Sequence, residues 1–212
     1  MRMAVVVGIE VPAHGLLSAL DGSWVYFVKR YDREGRSGKV HVEDFAQLSA
    51  STRDTKYNSS LEKVAQVIKE FTTFPAIEQP RLAKRLLFCF LTGNEDMHLK
   101  NFSLWIHDGV VSLSPAYDLL NTTLVMGNAK EESALPLDGK KKNLTRKLWL
   151  DYFCKERLRL NTVQTESILF DLKQAIPAFE KLIQQSFLSN ERKEAYWDIL
   201  TQRAARLGLL HE

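Results

Sequence analysis

The sequence contains few cysteines and no motif in which they would act together. Of its 212 residues only Cys89 and Cys154 are cysteines, and neither belongs to a Cys-x-x-Cys pair or a cysteine–histidine cluster. This excludes a small disulfide-stabilised scaffold and argues against a structural zinc site. Both cysteines lie in apolar, helix-like surroundings, which predicts buried free thiols in a reducing compartment.

Long hydrophobic runs are missing as well. No apolar segment approaches the roughly 18 residues that a membrane-spanning helix needs. The first residues, MRMAVVVGIEVPAHG, contain one arginine and only a short apolar run, without the cleavage site of a signal peptide. We therefore expect a cytoplasmic protein with no membrane attachment, with a translocated effector as the alternative.

Charge of one sign is not concentrated anywhere in the chain. The formal net charge is +3, and the longest run of like charges is Lys140-Lys141-Lys142, which is typical of a solvated loop. Direct binding to nucleic acid is therefore not expected. With 45% hydrophobic and 26% charged residues, the composition is that of an ordinary globular protein. The length suits one large domain, or one domain with a small extra lobe.

Hydrophobic periodicity and turn residues predict an α+β protein in which helices dominate. The first part should contain a helix end over 1–9, a hairpin around Asp21-Gly22, a polar loop at 32–39, a helix from Val42, a loop at 51–59 and a helix from Leu61 capped by Ser59 and Glu62. The second part should contain a buried helix from Pro80 to Gly93, a hairpin of 102–107 and 110–113 joined by Asp108-Gly109, a loop at 121–143, and helices from Asn143 to about Leu160, over 162–187 with a break or kink at Pro177, and over 190–207 up to Gly208.

Three side chains around the second hairpin form a candidate catalytic site. Asp96 and Asn101 have the spacing D-x-x-x-x-N, in a loop that follows a buried helix. In protein kinases such an aspartate accepts the proton of the substrate hydroxyl, and the asparagine binds magnesium. Asp118 follows the hairpin, which would bring a second metal ligand to the same place. The spacing alone is weak evidence, since Asp96 could instead cap its own turn, and His98 alone is more often structural than a ligand.

The longer strings around these residues resemble the signature of the HipA-like serine/threonine kinase toxins, in which D-x-H-x-K-N-F-S and P-x-Y-D recur. This chain has NEDMHLKNFS at 94–103 and SPAYDL at 114–119. Further upstream, FVKRYDR at 27–33 resembles the hinge strand of that family, HVEDFAQ at 41–47 the helix after it, and KY at 56–57 its K-Y-E. The resemblance extends from about Gly8 to the C-terminus, with the motifs in the same order.

The resemblance implies a protein-kinase-like HipA fold that is α+β and mostly α. Residues 1–34 would be a remnant of the N-terminal lobe with the hinge. Residues 35–212 would be the helical C-terminal lobe, with its catalytic loop at 93–101 and a magnesium-binding aspartate at 118.

The same resemblance implies individual roles. Asp96 would be the catalytic base, and His98 and Lys100 would order the catalytic loop or the phosphates. Asn101 and Asp118 would hold Mg²⁺. Lys29 and Tyr31 would lie at the hinge beside the adenine of ATP, with Asp32 near the ribose. Arg30, Asp44 and Gln47 match positions near the cleft, although Asp44 and Gln47 could simply form a polar helix face.

One part of the family pattern is not found. The family's N-terminal lobe carries a phosphate-gripping loop, a strand lysine and an acidic helix residue. Here no G-x-G-x-x-G occurs, and no lysine precedes Lys29. Such a clamp supplies electrostatic stabilisation of the transferring phosphoryl group. The chain could be a fragment of a full kinase, its missing lobe could be a separate polypeptide, or it could be a degenerate core that binds without catalysing.

The resemblance therefore implies an ATP-dependent protein serine/threonine kinase, the toxin of a toxin–antitoxin system that causes growth arrest. Its substrate would be an aminoacyl-tRNA synthetase, and its partner a HipB-like helix-turn-helix antitoxin. The alternative is a non-catalytic kinase core that binds an antitoxin or effector target. A small-molecule phosphotransferase is disfavoured, since Asn94-Glu95 precede Asp96 where those enzymes usually have histidine and glycine.

Overall fold

The structure is a computed structural model that describes residues 1–52, 54–127 and 131–210. Residues 53 and 128–130 belong to the loops predicted at 51–59 and 121–143, and residues 211–212 belong to the predicted domain at 35–212. These six positions lie outside the described residues. The elements that are described form a mixed α+β chain with helices dominating, as predicted.

The chain begins with a short helix and a hairpin, both as predicted. Helix α1 spans Arg2–Val6, and strands β1 (His14–Ser18) and β2 (Trp24–Val28) pair antiparallel. Gly22 in the connecting turn has φ +82°, a conformation that glycine adopts without a steric penalty. All residues of β2 are exposed, so the hairpin lies beside the core rather than within it.

The segment predicted as a polar loop at 32–39 is a second, very small hairpin. Strand β3 (Arg33–Glu34) pairs antiparallel with β4 (Gly38–Lys39). The prediction of a loop was wrong here, because a ladder of two exposed residues a strand leaves no alternation of polar and apolar residues in the sequence.

The helix predicted from Val42 begins later than expected. Residues His41–Asp44 form strand β5, and only Phe45–Leu48 are helical, as α2. The Asp44 side chain accepts a hydrogen bond from the Gln47 backbone, and the Gln47 side chain accepts one from the Asp44 backbone. This capping box fixes the start of the helix, while the strand before it forms only because a distant partner strand is available.

The next two helices build the middle of the molecule. Helix α3 spans Leu61–Phe71, and its N-cap is Ser60, one residue later than the predicted Ser59. Helix α4 spans Pro75–Leu91 without a break. The predicted start at Pro80 was wrong. Pro75 occupies the tolerated first turn, and the buried second half of the helix outweighs the hydrogen bond that Pro80 cannot make.

A three-stranded antiparallel sheet lies next to the first half of α4, where the Leu113 backbone donates to the Glu78 carboxylate at 3.1 Å. Its order is β5-β6-β7, with β6 at Ser103–His107 and β7 at Val110–Leu113. The turn residues Asp108 and Gly109 have φ values of +50° and +76°, which is the geometry of a type I′ hairpin turn. The predicted hairpin is confirmed. A 3₁₀ turn at Leu99–Asn101 leads into β6.

The segment predicted as a loop at 121–143 contains a short helix, α5, at Thr122–Met126. After it, Asn143 has φ +55° and does not cap the following helix as predicted. Instead the Thr145 side chain accepts a hydrogen bond from the Leu148 backbone at 3.3 Å. That helix is a π-helix at Leu148–Arg157, which the sequence did not indicate.

The last two helices lie where they were predicted, but Pro177 does not break the first of them. Helix α6 spans Thr162–Gln184 with Pro177 inside it, and α7 spans Asn190–Leu207 and ends at Gly208, where φ is +69°. Helices α3, α6 and α7 all pack against α4, whose residues 85–91 are all buried. Among the helices of the described residues, none is both long and apolar enough to cross a membrane.

Candidate active site

The loop that follows α4 is held in one shape by hydrogen bonds between its own residues. Gly93 ends the helix with φ +77°. The Asn101 side-chain nitrogen donates a hydrogen bond to the Asp96 carbonyl at 2.6 Å, and the Asn101 backbone donates to the His98 carbonyl at 2.9 Å. These bonds fold the loop back on itself. They bring Asp96 and Asn101 together and leave the Asn101 amide oxygen as a potential metal ligand.

Tyr57 contacts the candidate base directly. Its hydroxyl donates to the Asp96 carboxylate at 2.8 Å. Desolvation of the phenol, together with this hydrogen bond, raises the pKa of Tyr57 to about 12. Tyr57 therefore remains a donor at neutral pH and fixes one carboxylate oxygen of Asp96.

His98 lies against Lys56 and Tyr57. Its Nε2 is 2.7 Å from the Lys56 ammonium, and its ring meets the Tyr57 ring edge-on at 5.0 Å. Because an ammonium can only donate, Nε2 must accept and Nδ1 must carry the proton. Burial lowers the pKa of His98, while the Asp96 carboxylate acts in the opposite direction. The imidazole is therefore neutral at pH 7, and it orders the loop without contributing a charge.

Asp118 is tied to the same loop through its backbone. The Asn94 side chain donates to the Asp118 carbonyl at 3.2 Å, and Asp118 itself has φ +53°. The Tyr117 hydroxyl before it donates to the Lys100 carbonyl at 2.9 Å and lies 2.5 Å from Ser103 Oγ. The structure therefore brings the Asp118 segment to the loop of Asp96, as the hairpin between them predicts.

A buried arginine holds the segment 114–118, which ends in Asp118. The Arg85 guanidinium donates to the Ser114 carbonyl at 2.5 Å and is 2% exposed. Burial lowers the pKa of Arg85 to about 10, which still leaves it charged at neutral pH. It thereby anchors the start of the segment that ends in Asp118.

The predicted hinge residues are only partly connected to this loop. The Tyr31 ring stacks on Tyr117 at 5.8 Å, which places it beside Asp118. The Asp32 carboxylate instead pairs with Arg30 at 2.6 Å and with Arg33 at 2.6 Å, and these arginines lower its pKa. Lys29 continues the β1–β2 hairpin through its backbone bond to Ala13. No contact between described residues joins the side chain of Lys29 or Asp32 to Asp96.

Lys100 and the residues matched near the cleft have structural contacts. The Lys100 ammonium lies 2.7 Å from the Asp44 carboxylate. Asp44 and Gln47 form the capping box of α2. The Lys100–Asp44 pair thus joins the candidate loop to the start of α2, and the predicted role of Lys100 toward phosphates stays a prediction.

A cavity of about 1060 Å³ borders the site. It lies between the β1–β2 hairpin, α1 and the end of α6, and Asp118 is one of its lining residues. Val28 lines it as well, whereas Lys29, Tyr31 and Asp32 are not among the lining residues described. A cavity of this size can accommodate a nucleotide-sized molecule.

The donor chemistry fits a magnesium ion that arrives with a nucleotide. The Asn101 amide oxygen and the Asp118 carboxylate are hard oxygen donors, and Mg²⁺ is commonly held by one or two carboxylates together with substrate phosphates. In the described part of the chain, no three His, Cys, Asp or Glu side chains cluster closely enough to hold a metal ion. Two hard oxygen donors are the kind of set that shares a Mg²⁺ ion with substrate phosphates.

Several contacts of the site were missed at the level of sequence. In the sequence, Lys56 and Tyr57 stand out only because they resemble the family's K-Y-E. That resemblance is the signal that connects them with Asp96. Glu95 carries a buried ion pair with Arg203 at 2.8 Å, for which the sequence offers no local signal.

Comparison with known proteins identifies the family of the chain. A family model described as the HipA-like C-terminal domain matches residues 1–180. Two proteins of Sinorhizobium fredii are each named "Putative kinase". They are 37% and 32% identical to this chain, over 134 and 130 residues respectively. Each match covers 58% of this chain and 32% or 31% of the relative. The chain thus spans about a third of the length of these curated relatives. A Haemophilus influenzae protein of the same name is 25% identical and covers 100% of this chain and 69% of its own.

Solved structures show the same fold. HipA in the Shewanella oneidensis complex of HipA, HipB and operator DNA has a TM-score of 0.82 at 19% identity, covering 98% of this chain and 54% of that one. The Helicobacter pylori proinflammatory kinase CtkA has a TM-score of 0.68 at 16% identity, covering 97% of this chain and 80% of its own. The predicted HipA-like, kinase-like fold is confirmed.

Proposed function

We propose, since this chain belongs to the family of HipA-like C-terminal domains, that it is the catalytic lobe of an ATP-dependent protein serine/threonine kinase. Two hydrogen bonds carry the proposal: the one from Asn94 to the Asp118 carbonyl and the one from Asn101 to the Asp96 carbonyl support a common location for the proposed base and the two proposed metal ligands. Sequence strings alone could match by chance, whereas these contacts require the folded chain.

Each residue has a definite task in this proposal. Asp96 accepts the proton of the substrate hydroxyl as that oxygen attacks the γ-phosphate of ATP, while the bond from the γ-phosphorus to the β–γ bridging oxygen breaks and ADP leaves. Asn101 and Asp118 would hold Mg²⁺, which would neutralise charge on the phosphates. Tyr57 and the neutral His98 orient the loop, and Tyr31 lies beside Tyr117 near the hinge. The roles of Lys29 and Asp32 toward the adenine and ribose, and of Lys100 toward phosphates, rest on the family resemblance.

We also propose a functional division of the chain at about residue 34. Residues 1–34 would be the remnant of the N-terminal lobe with the hinge, and residues 35–212 the helical lobe. In support, the β1–β2 hairpin is largely exposed, with Trp24 at 51% and Tyr26 at 54%. Apolar strands left open on this scale are typical of a surface that another polypeptide segment covers.

The proposed substrate and partners come from the family resemblance. By family resemblance the substrate is an aminoacyl-tRNA synthetase in the cytoplasm, and the toxin is held by a HipB-like helix-turn-helix antitoxin. The Shewanella relative is in a complex with HipB and operator DNA, which supports a partner of that kind. A separate N-lobe-like protein is the further partner that the open hairpin favours.

A second candidate function is a non-catalytic kinase core that binds an antitoxin or effector target. The open β1–β2 hairpin favours it, because an exposed apolar strand pair is suited to binding a protein whether or not phosphate is transferred. Asp96 distinguishes the two candidates, since a protein that only binds has no use for a base.

Transfer of labelled γ-phosphate from ATP tests the proposal. The chain is assayed alone and with the products of neighbouring genes, beside Asp96→Asn and Asp118→Asn. We expect transfer that either substitution reduces by several orders of magnitude, as loss of a base or metal ligand does. Transfer that survives Asp96→Asn would remove that residue from its role. Absence of both transfer and Mg–ATP binding in every mixture would contradict the kinase proposal.

A further inference from the structure

A buried ion pair joins the last helix to the residue before the candidate base. Arg203 of α7 and Glu95 of the catalytic loop are separated by 108 positions in sequence, and their charged groups lie 2.8 Å apart. The two side chains are only 7% and 10% exposed. A pair so shielded from water holds a fixed geometry more strongly than a surface pair does.

Arg203 bonds to three separate segments at once. Its guanidinium donates to the Phe90 carbonyl at the end of α4 at 2.8 Å, to Glu95 at 2.8 Å and to the Thr123 hydroxyl at 3.2 Å. The Thr123 hydroxyl in turn donates to the Glu95 carboxylate at 2.5 Å. The planar fork of an arginine suits such multiple contacts, and a lysine could not reproduce them.

The same cluster connects the loop before Asp96 with the segment after Asp118. The Glu95 backbone donates to the Thr122 hydroxyl at 2.7 Å, and the Thr123 backbone donates to the Gly93 carbonyl at 3.1 Å. Together with the Asn94 bond to the Asp118 carbonyl at 3.2 Å, these contacts fasten residues 93–95 to residues 118–123. Asp96 and Asp118 lie at the two edges of this fastened region.

We infer that Arg203 and Glu95 are positioning residues, which set the placement of Asp118 relative to the catalytic loop and thereby the affinity for the metal. This inference rests on the proposed function of the loop. Removing Arg203 leaves the Glu95 carboxylate buried without a partner, so the loop must shift or admit water. Groups that orient metal ligands typically change metal affinity by about 10- to 100-fold when mutated.

Arg206 provides a matched control on the same helix. It pairs with Glu132 rather than with the catalytic loop, so Arg206→Met also removes an arginine and an ion pair from α7. The test variants are Arg203→Met, Glu95→Gln and the double variant. If the pair acts as a unit, the double variant should lose less than the sum of the two single losses.

Hydrogen exchange without ligand tests the contact itself. In Arg203→Met, amides of residues 94–101 should exchange faster than in the parent chain, by more than the change in global unfolding explains. In Arg206→Met they should not. Equal protection of the loop in both variants would overturn the inference, whatever the chain binds.

The Mg²⁺ dependence of ATP binding tests the consequence, and a merely structural role would not change it. For Arg203→Met and Glu95→Gln, the Mg²⁺ concentration at half-maximal binding should rise about 10- to 100-fold, with metal-free ATP binding unchanged. Arg206→Met should stay within about twofold. Unaltered Mg²⁺ dependence in Arg203→Met would overturn the inference. If the parent chain binds no Mg–ATP, the proposed function fails and the metal role with it, while the exchange result still judges the contact.

Discussion

At the scale of single residues, the candidate base is defined as much by its neighbours as by its own position. Asp96 and Asn101 could be identified from their spacing, but the contact of Asp96 with Tyr57 joins positions 39 residues apart. His98 could not be given a protonation state from sequence, because that state depends on Lys56 and on burial. Spacing along the chain predicts which groups face one another in a loop, and it does not predict what packs over them.

Replacing Tyr57 by Phe should slow phosphoryl transfer while leaving ATP affinity unchanged. The hydroxyl holds one oxygen of Asp96, and hydrogen bonds to charged groups are worth about 1.5–3 kcal/mol. Tyr57 is 42% exposed, so the lower end applies and the rate should fall by about tenfold. The rate of transfer at saturating ATP measures this.

Tyr152→Phe is the control for that substitution. The Tyr152 hydroxyl also donates to a carboxylate, that of Glu62 at 3.1 Å, but this contact lies outside the catalytic loop. Its transfer rate should equal that of the parent chain. Faster transfer in Tyr57→Phe would show that the hydroxyl competes with the acceptor rather than orienting the base.

The two thiols should be unreactive in the folded protein. Both cysteines are free, Cys89 is 2% exposed and Cys154 is 0% exposed, and burial raises the pKa of each to about 12. Since a raised pKa lowers the fraction of reactive thiolate, an aromatic disulfide reagent at pH 8 should label neither thiol until denaturant is added. Rapid labelling of the native chain would contradict this packing.

At the scale of elements, predictions were correct where neighbouring residues alone determine the local structure. Asp108-Gly109 and the apolar runs beside it predicted the β6–β7 hairpin, and Gly93 and Gly208 marked two helix ends. Strand β5 was mistaken for helix because it depends on pairing with β6. The capping box of Asp44 and Gln47 was nevertheless readable in the sequence, and it would have placed the start of α2 correctly.

Two glycine substitutions should separate backbone strain from crowding at the catalytic loop. Gly93 and Gly109 have nearly the same φ, +77° and +76°. A Cβ at Gly109 would meet nothing within 4 Å, whereas one at Gly93 would lie 2.6 Å from the Asn121 side chain. Gly109→Ala should cost about 1 kcal/mol of unfolding free energy, and Gly93→Ala should cost clearly more.

Urea unfolding of both variants measures this difference. Asn121 caps α5 by accepting a hydrogen bond from the Leu124 backbone at 2.8 Å, so it cannot move aside without losing that bond. Loss of a cap costs about 1 kcal/mol, which sets the expected excess for Gly93→Ala. An equal loss of unfolding free energy in the two variants would mean that the loop at Gly93 shifts to accommodate the added Cβ without cost.

At the scale of the whole molecule, the sequence was sufficient for the fold class, whereas the roles of Asp96, Asn101 and Asp118 stay predictions. Motifs in the right order led to a HipA-like fold, because each motif marks a turn or loop that the fold uses once. Two features were not predictable: the ion pair between Arg203 and Glu95, and the π-helix at Leu148–Arg157. The first depends on a helix at the far end of the chain, and the second on packing rather than on a distinctive local pattern.

The molecule also presents a contrast between α4 and the β1–β2 hairpin. The second half of α4 is buried in the core, whereas the β1–β2 hairpin is apolar and largely exposed. If another polypeptide covers that hairpin, as the proposed function has it, its absence should limit phosphoryl transfer by the chain alone more than it limits the binding of metal and nucleotide. Binding is therefore the more direct test of the site than turnover.

Calorimetric titration of ATP into the chain, with and without Mg²⁺, is the measurement that tests this central claim most directly. Asp96→Asn and Asp118→Asn are compared, because both remove one carboxylate charge from the same loop cluster. We predict Mg²⁺-dependent binding that survives in Asp96→Asn and is weakened at least about tenfold in Asp118→Asn. Binding that is independent of Mg²⁺, or equal in the parent chain and Asp118→Asn, would contradict the assignment of this loop as a magnesium–nucleotide site.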